Sequence, residues 1–127
     1  MKIFLAFSWL LAAALLLSMP TQARVSGRIV LGAQPLAGFQ HYAGKRVWDE
    51  LKVGDALTLV REPDNTYDTN AIRVEWRGEK LGYVPRAGND AIAKLMDKGS
   101  KVSGRIVHLK SGRSHWQRIL FEVLLEE

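Results

Sequence analysis

A chain of 127 residues with 47% hydrophobic and 24% charged side chains has the balance of a globular protein with room for one core. It contains no cysteine, which excludes disulfide staples, a lipid-modified N-terminal cysteine and any thiolate zinc site. Its formal charge of +5 permits phosphates or acidic polymers as partners without specifying either, because the basic residues are scattered singly rather than massed in a tail.

The chain opens with Lys2, an apolar run from Ile3 to Leu17, then Ser18-Met19-Pro20 and Thr21-Gln22-Ala23. A basic start, a short apolar segment and small residues after a helix breaker are the order of a secretory signal peptide. Residues 1–23 are therefore read as a signal peptide cleaved near Ala23, with export to the periplasm or the medium. An uncleaved membrane anchor is the other reading, although the apolar stretch is short against the roughly 20 residues a span needs. Removing the segment takes one lysine with it and leaves 104 residues, 17 Lys/Arg against 13 Asp/Glu, a formal charge of +4. Residues 24–127 form a single domain with no low-complexity linker. The five-residue echo SGRIV, at Ser26–Val30 and Ser103–Val107, has nothing similar around its two copies and reads as chance.

Val25–Ala33 is short and β-branched in character, and a second extended piece runs after Pro35 through Gly38 to Tyr42; both read as strands. Ala43–Leu51 supports no more than a short helical turn or loop. Lys52–Asp55 turns the chain into a strand over Ala56–Val60, with Leu57 and Leu59 on one face. Ala71–Trp76 alternates Ile72, Val74 and Trp76 against Arg73 and Glu75, and Arg77-Gly78-Glu79 turns it into a strand over Lys80–Val84. One helix follows Pro85, with Asn89 as N-cap, Asp90 in its first turn and Gly99 at its end. Ile92, Leu95 and Met96 fall on its buried face, while Lys94, Asp97 and Lys98 face water. Strands over Lys101–Leu109 and His115–Leu125, joined by the basic loop Lys110–Ser114, close the chain. Six or seven short strands with one main inserted helix predict a mainly β fold, a small OB-like or SH3-like antiparallel barrel.

The run REPDNTYDTNAIRVEW, Arg61–Trp76, crowds Asp64, Asn65, Tyr67, Asp68 and Asn70 between two apolar segments. Asp64 and Glu75 stand at the first and twelfth positions of an EF-hand loop, but Thr66 and Thr69 occupy its third and sixth, where a carboxylate or amide and a glycine are required. Hydrolytic chemistry is no better served: the three histidines, His41, His108 and His115, pair with no serine and follow no metal-ligand spacing, and His108 reads as a structural strand residue. The sequence carries no catalytic constellation and implies no metal or cofactor. Asp64, Asn65 and Asn70 suit turn caps that bond side chain to backbone. Tyr67 and Asp68 are better suited to a ligand, as an aromatic face beside an acceptor for hydroxyl or amino groups.

Three motifs in order, GFQHY at Gly38–Tyr42, VGDALTLVREPDNTYDTNAIRV at Val53–Val74 and LGYVPR at Leu81–Arg86, followed by a helix ending in glycine, resemble a HIRAN domain over Ile29–Glu122. The resemblance implies an OB-like barrel that captures single-stranded DNA at a free 3′ end without catalysis. It implies that Tyr67 and Asp68 receive the terminal nucleotide, the carboxylate meeting its 3′-hydroxyl, and that Asn65 belongs to the same loop. Gln40, His41 and Tyr42 match a loop that contacts bases and backbone, and Arg86 falls where a basic residue meets phosphate. Tyr83 offers either a stacking face or a half-buried strand tyrosine. Gln40 and His41 stand where DNA-binding relatives carry an arginine and a tyrosine, which removes a fixed charge and shrinks a stacking surface. Lys45, Arg46 and Arg113 are further candidates for phosphate contact, and Trp116 for an aromatic near the site, with core packing as its alternative. Export sets the DNA reading against another, in which the same groove takes an envelope glycan, peptide or protein.

Overall fold

The computed structural model describes residues 27–112 and 118–126. The signal-peptide region, its membrane-anchor alternative, Arg113, His115 and Trp116 therefore lie outside the described residues. Six antiparallel strands, β1 (Arg28–Pro35), β2 (Ala56–Arg61), β3 (Ile72–Trp76), β4 (Glu79–Tyr83), β5 (Lys101–Leu109) and β6 (Ile119–Glu126), form one sheet in the order β1-β6-β5-β2-β3-β4. Helix α1 (Gly44–Val47) runs into a 3-10 turn at Trp48–Glu50, and helix α2 (Asn89–Asp97) links β4 to β5.

The sheet curls until its two ends meet. Just past β1, Ala37 exchanges backbone hydrogen bonds with Tyr83 of β4, both 2.9 Å, while Leu36 donates to the Ile119 carbonyl. This contact depends on Gly82, because a Cβ there would collide with the Ala37 carbonyl oxygen. The alternation expected of β2 and β3 holds: Leu57, Leu59, Ile72, Val74 and Trp76 point into the core beside Leu81, Ile106, Phe121 and Val123. Trp76 satisfies its buried indole N–H on Asp55 at 3.0 Å.

Two expectations change. Gly38–Tyr42 is not a strand: Gly38 adopts a left-handed φ of 77° and turns the chain into a 3-10 helix over Phe39–His41. That turn buries Phe39 edge-on to Trp48, with centroids 5.7 Å apart, and burying such a ring contributes about 1.5–3 kcal/mol. Nor is Asn89 the N-cap of α2. Gly88, at φ 93°, holds that position, and Asn89 is the first helical residue with its side chain turned away to another task. The buried face of α2 is as read for Ile92, inside, and Met96, packed at the edge of the core, but Ala93 is buried with them while Leu95 is only half-buried outside the core. Among the described residues the first strand begins at Arg28 and is exposed along most of its length, Val25 lying outside them, and the last begins at Ile119.

Candidate functional site

The polar loop between β2 and β3 is closed at its base by the Glu62 N–H on the Ala71 carbonyl at 2.9 Å. Pro63 sets the first turn, in which Asn65 N–H returns to the Glu62 carbonyl at 3.1 Å. The Asn65 side-chain oxygen then accepts from the N–H groups of Tyr67 (2.9 Å) and Asp68 (3.1 Å), and its amide donates to Glu62 Oε1 at 3.1 Å. Asn65 thus holds the loop's shape, as its capping role predicts. The second cap differs from expectation. Asp68 Oδ1 accepts from the Asn70 N–H at 2.9 Å, so Asp68 does the capping assigned to Asn70; among the described residues no side-chain hydrogen bond is made by Asp64 or Asn70.

This bracing pushes Tyr67 outward until it is 87% exposed, and presents Asp68 beside it. The other Asp68 oxygen accepts from the buried Asn89 amide at 2.8 Å and lies 3.7 Å from Arg86 Nε. The Asn70 N–H foremost, then the Asn89 amide and the charges of Arg86 and Arg61, outweigh burial and hold the Asp68 carboxyl below its ordinary range. It is an ionised acceptor at neutral pH. Arg86 also donates to the Tyr67 carbonyl, tying the segment after β4 to the loop tip. Below them, Arg61 grips Asp97 of α2 through two bonds (3.0 and 3.2 Å) and the Ala71 carbonyl through a third at 3.0 Å, fixing the loop's base to the helix.

Facing the loop across a cleft of about 710 Å³ stand Tyr42, Lys80 and Tyr83. The Ala43 N–H bonds the Lys80 carbonyl at 3.0 Å and keeps Tyr42 over β4, its ring 5.8 Å from that of Tyr83. Tyr83 donates its hydroxyl hydrogen to Glu62 Oε1 at 2.8 Å, and Glu62 Oε2 accepts from Arg73 at 2.7 Å. Burial pushes the Glu62 carboxyl up, but the bonds from Tyr83, Asn65 and Arg73 prevail and hold it below its usual range. Burial and the Glu62 charge together raise the Tyr83 phenol, so it stays neutral.

Of the residues expected at the site, Tyr42, Asn65, Tyr67, Asp68, Tyr83 and Arg86 line this one cleft. Gln40 and His41 sit beside it in the 3-10 turn, His41 exposed and edge-on to Tyr42 with centroids 6.3 Å apart. Arg46 pairs with Glu79 at 2.6 Å, and His108 lies exposed on β5 away from the cleft lining. Sequence reasoning missed Lys80, Glu62 and Asn89. Among the described residues no group of three or more His, Asp or Glu could hold a metal ion. The cleft therefore offers an exposed aromatic face, an ionised acceptor and a cation, a set that suits a ligand combining a planar group, a hydroxyl and an anionic group.

Residues 33–127 match the model of the HIRAN domain. Over 85 residues the chain is 33% identical to a putative SWI/SNF-related matrix-associated actin-dependent regulator of chromatin, subfamily A member 3-like 1, of Arabidopsis thaliana, covering 66% of this chain and 9% of that protein. It is 40% identical over 53 residues to a Fanconi-associated nuclease 1 homolog of Oryza sativa subsp. japonica, covering 39% of this chain and 6% of the relative. The chain thus spans less than a tenth of either plant protein. A crystal structure of a Lactobacillus plantarum protein superposes with a TM-score of 0.72 at 30% identity, over 80% of this chain and 98% of that one. The HIRAN domain of human HLTF shares the fold, with a TM-score of 0.59 at 22% identity over 79% of each chain.

Proposed function

The chain belongs to the HIRAN domain family, and we propose that it is a non-enzymatic nucleic-acid-binding module that takes single-stranded DNA by a free 3′-hydroxyl end. The observation that carries this reading is the pairing of an almost fully exposed Tyr67 with an ionised, doubly bonded Asp68 at the mouth of one cleft. Tyr67 stacks the terminal base, a contact worth about 1–3 kcal/mol. Asp68 accepts a hydrogen bond from the free 3′-hydroxyl. At an internal nucleotide, or an end carrying 3′-phosphate, the same position brings a negative charge against the carboxylate, and that repulsion rejects it. Tyr42 and Tyr83 supply further aromatic surface, Asn65 the loop that aims Tyr67 and Asp68, and Gln40, His41 and Arg86 the flanking polar contacts. The occurrence of this domain in relatives described as a chromatin regulator and a nuclease supports a nucleic-acid ligand.

The test is fluorescence anisotropy with the full chain and a short labelled oligonucleotide ending in 3′-hydroxyl or 3′-phosphate. Preference for the hydroxyl by about tenfold or more, abolished by Asp68→Asn, is the expected result. Equal binding of both ends, or none at low salt, overturns the reading. Residues 1–23 belong to the proposal as a signal peptide that exports the domain to the periplasm or the medium. Intact mass measured on protein from its own cell checks this, since a chain beginning near Arg24 is expected and an untrimmed cytoplasmic chain refutes it.

A further inference from the structure

β4 departs from strict alternation. Val74 of β3 stands opposite Gly82 and the next residue, Glu75, opposite Lys80, so β4 carries one extra residue, a bulge at Leu81. A bulge re-aims the side chains on either side of it. Here it places Lys80 and Tyr83, three positions apart, on one face, where Lys80 Nζ donates to the Tyr83 hydroxyl at 2.8 Å. The ammonium also rests over two rings, 4.0 Å from the centroid of Tyr42 and 4.6 Å from that of Tyr83. Contacts of this kind stabilise a cation and fix its position on an otherwise flexible stem.

Three features make this cation a binding group rather than an internal counter-ion. Among the described residues Lys80 forms no ion pair with a carboxylate; its one hydrogen bond goes to a neutral phenol, and the nearby Glu62 is already shared by Tyr83 and Arg73. One of its three donors is spent, so two remain. The side chain lines the cleft at the end formed by Tyr42 and Tyr83, whereas Arg86 is tied to Tyr67 and Asp68 at the other.

Resting on the DNA reading above, we infer that Lys80 is a phosphate-binding residue, which holds the linkage between the terminal nucleotide and its 5′ neighbour while Asp68 holds the terminal hydroxyl. The two groups line one cleft, a hydrogen-bond donor for an anion at one end and an acceptor for a hydroxyl at the other. Burial acts to lower the Lys80 ammonium's affinity for its proton, but the Tyr83 bond and the Glu62 charge prevail, so it remains charged across the neutral range.

The experiment is a methylphosphonate scan, in which each linkage of a 3′-hydroxyl oligonucleotide is made neutral in turn and titrated against the full chain, against Lys80→Met and against Lys80→Gln. Neutralising the last linkage is expected to weaken the parent chain about tenfold. The same change is expected to leave both variants, already weakened to a similar level, almost unaffected. If the variants lose affinity equally on all oligonucleotides, or not at all, or if only a more distant linkage responds to Lys80, the assignment is overturned while the DNA reading stands. Absence of binding by the parent chain to any oligonucleotide would refute both. Thermal melts of the two variants separate lost contact from lost fold, and the scan on the parent chain stays decisive if either variant misfolds: an indifferent last linkage refutes the assignment.

Discussion

Asn89 is buried to 2% exposure and its amide gives a hydrogen to the half-buried Asp68, so its removal takes a charge-assisted hydrogen bond from that carboxylate and leaves Arg86, at 3.7 Å, as the remaining partner of the same oxygen. Asn89→Ala is expected to cost about 1–3 kcal/mol of folding stability, even though alanine favours the helix, and urea denaturation at pH 7 measures it. The carboxyls of Asp68 and Glu62 are both held below their ordinary range in the folded chain. In such a case the unfolded chain takes up protons first as pH falls. The stability these groups supply is therefore complete above the unfolded value, about 4, and is lost as pH drops through the folded values. Their contribution is expected to be flat from pH 8 to 5. The deficit of Asp68→Asn relative to the parent, measured by denaturation, is expected to shrink below pH 4; a deficit that changes between pH 8 and 6 instead would show that another group governs it.

At the level of elements, the cleft exists because one strand lies unusually close to the chain that crosses it. Gly82 permits the paired backbone bonds between Ala37 and Tyr83, and those bonds hang the Phe39–His41 turn and Tyr42 over Lys80. Gly82→Ala must push Ala37 away, with an expected loss of about 1–3 kcal/mol and weaker ligand binding through displacement of Tyr42, measured by thermal melting and anisotropy on the same preparation. Where local pattern and packing agree, the sequence was sufficient: β2 and β3 alternate cleanly, and the paired turns around Asn65 follow from residues that cap their own backbone. Where a side chain's task lies across the fold, it was not. The 38–42 stretch looks extended until Gly38 goes left-handed and Phe39 finds Trp48. Asn89 reads as a cap because Asp68, twenty-one residues earlier, is invisible to local chemistry. Lys80 falls out of step with Tyr83 under strict alternation, and only the bulge at Leu81 joins them.

For the molecule as a whole, several of the basic side chains are already matched by carboxylates. Arg28, Arg46, Arg61, Arg73 and Arg105 each pair with a carboxylate, several of them on the sheet surface far from the cleft, where such pairs contribute little to stability but cancel long-range field. The cleft itself is lined by Lys80 and by Arg86 beside Asp68. A surface arranged in this way should bind a strand end through few phosphates rather than coat a polyanion. Two phosphate contacts on a single strand give a slope of about −1.4 for log affinity against log salt. Raising salt from about 50 to 200 mM is then expected to weaken binding about sevenfold, and lengthening the oligonucleotide beyond a few nucleotides to add little. Anisotropy titrations over a salt series with oligonucleotides of two lengths measure both. A slope several times steeper that grows with length would assign the charge to nonspecific coating, and a slope near zero would leave no role for either cation; only the shallow, length-independent slope fits an end held between Asp68 and Lys80.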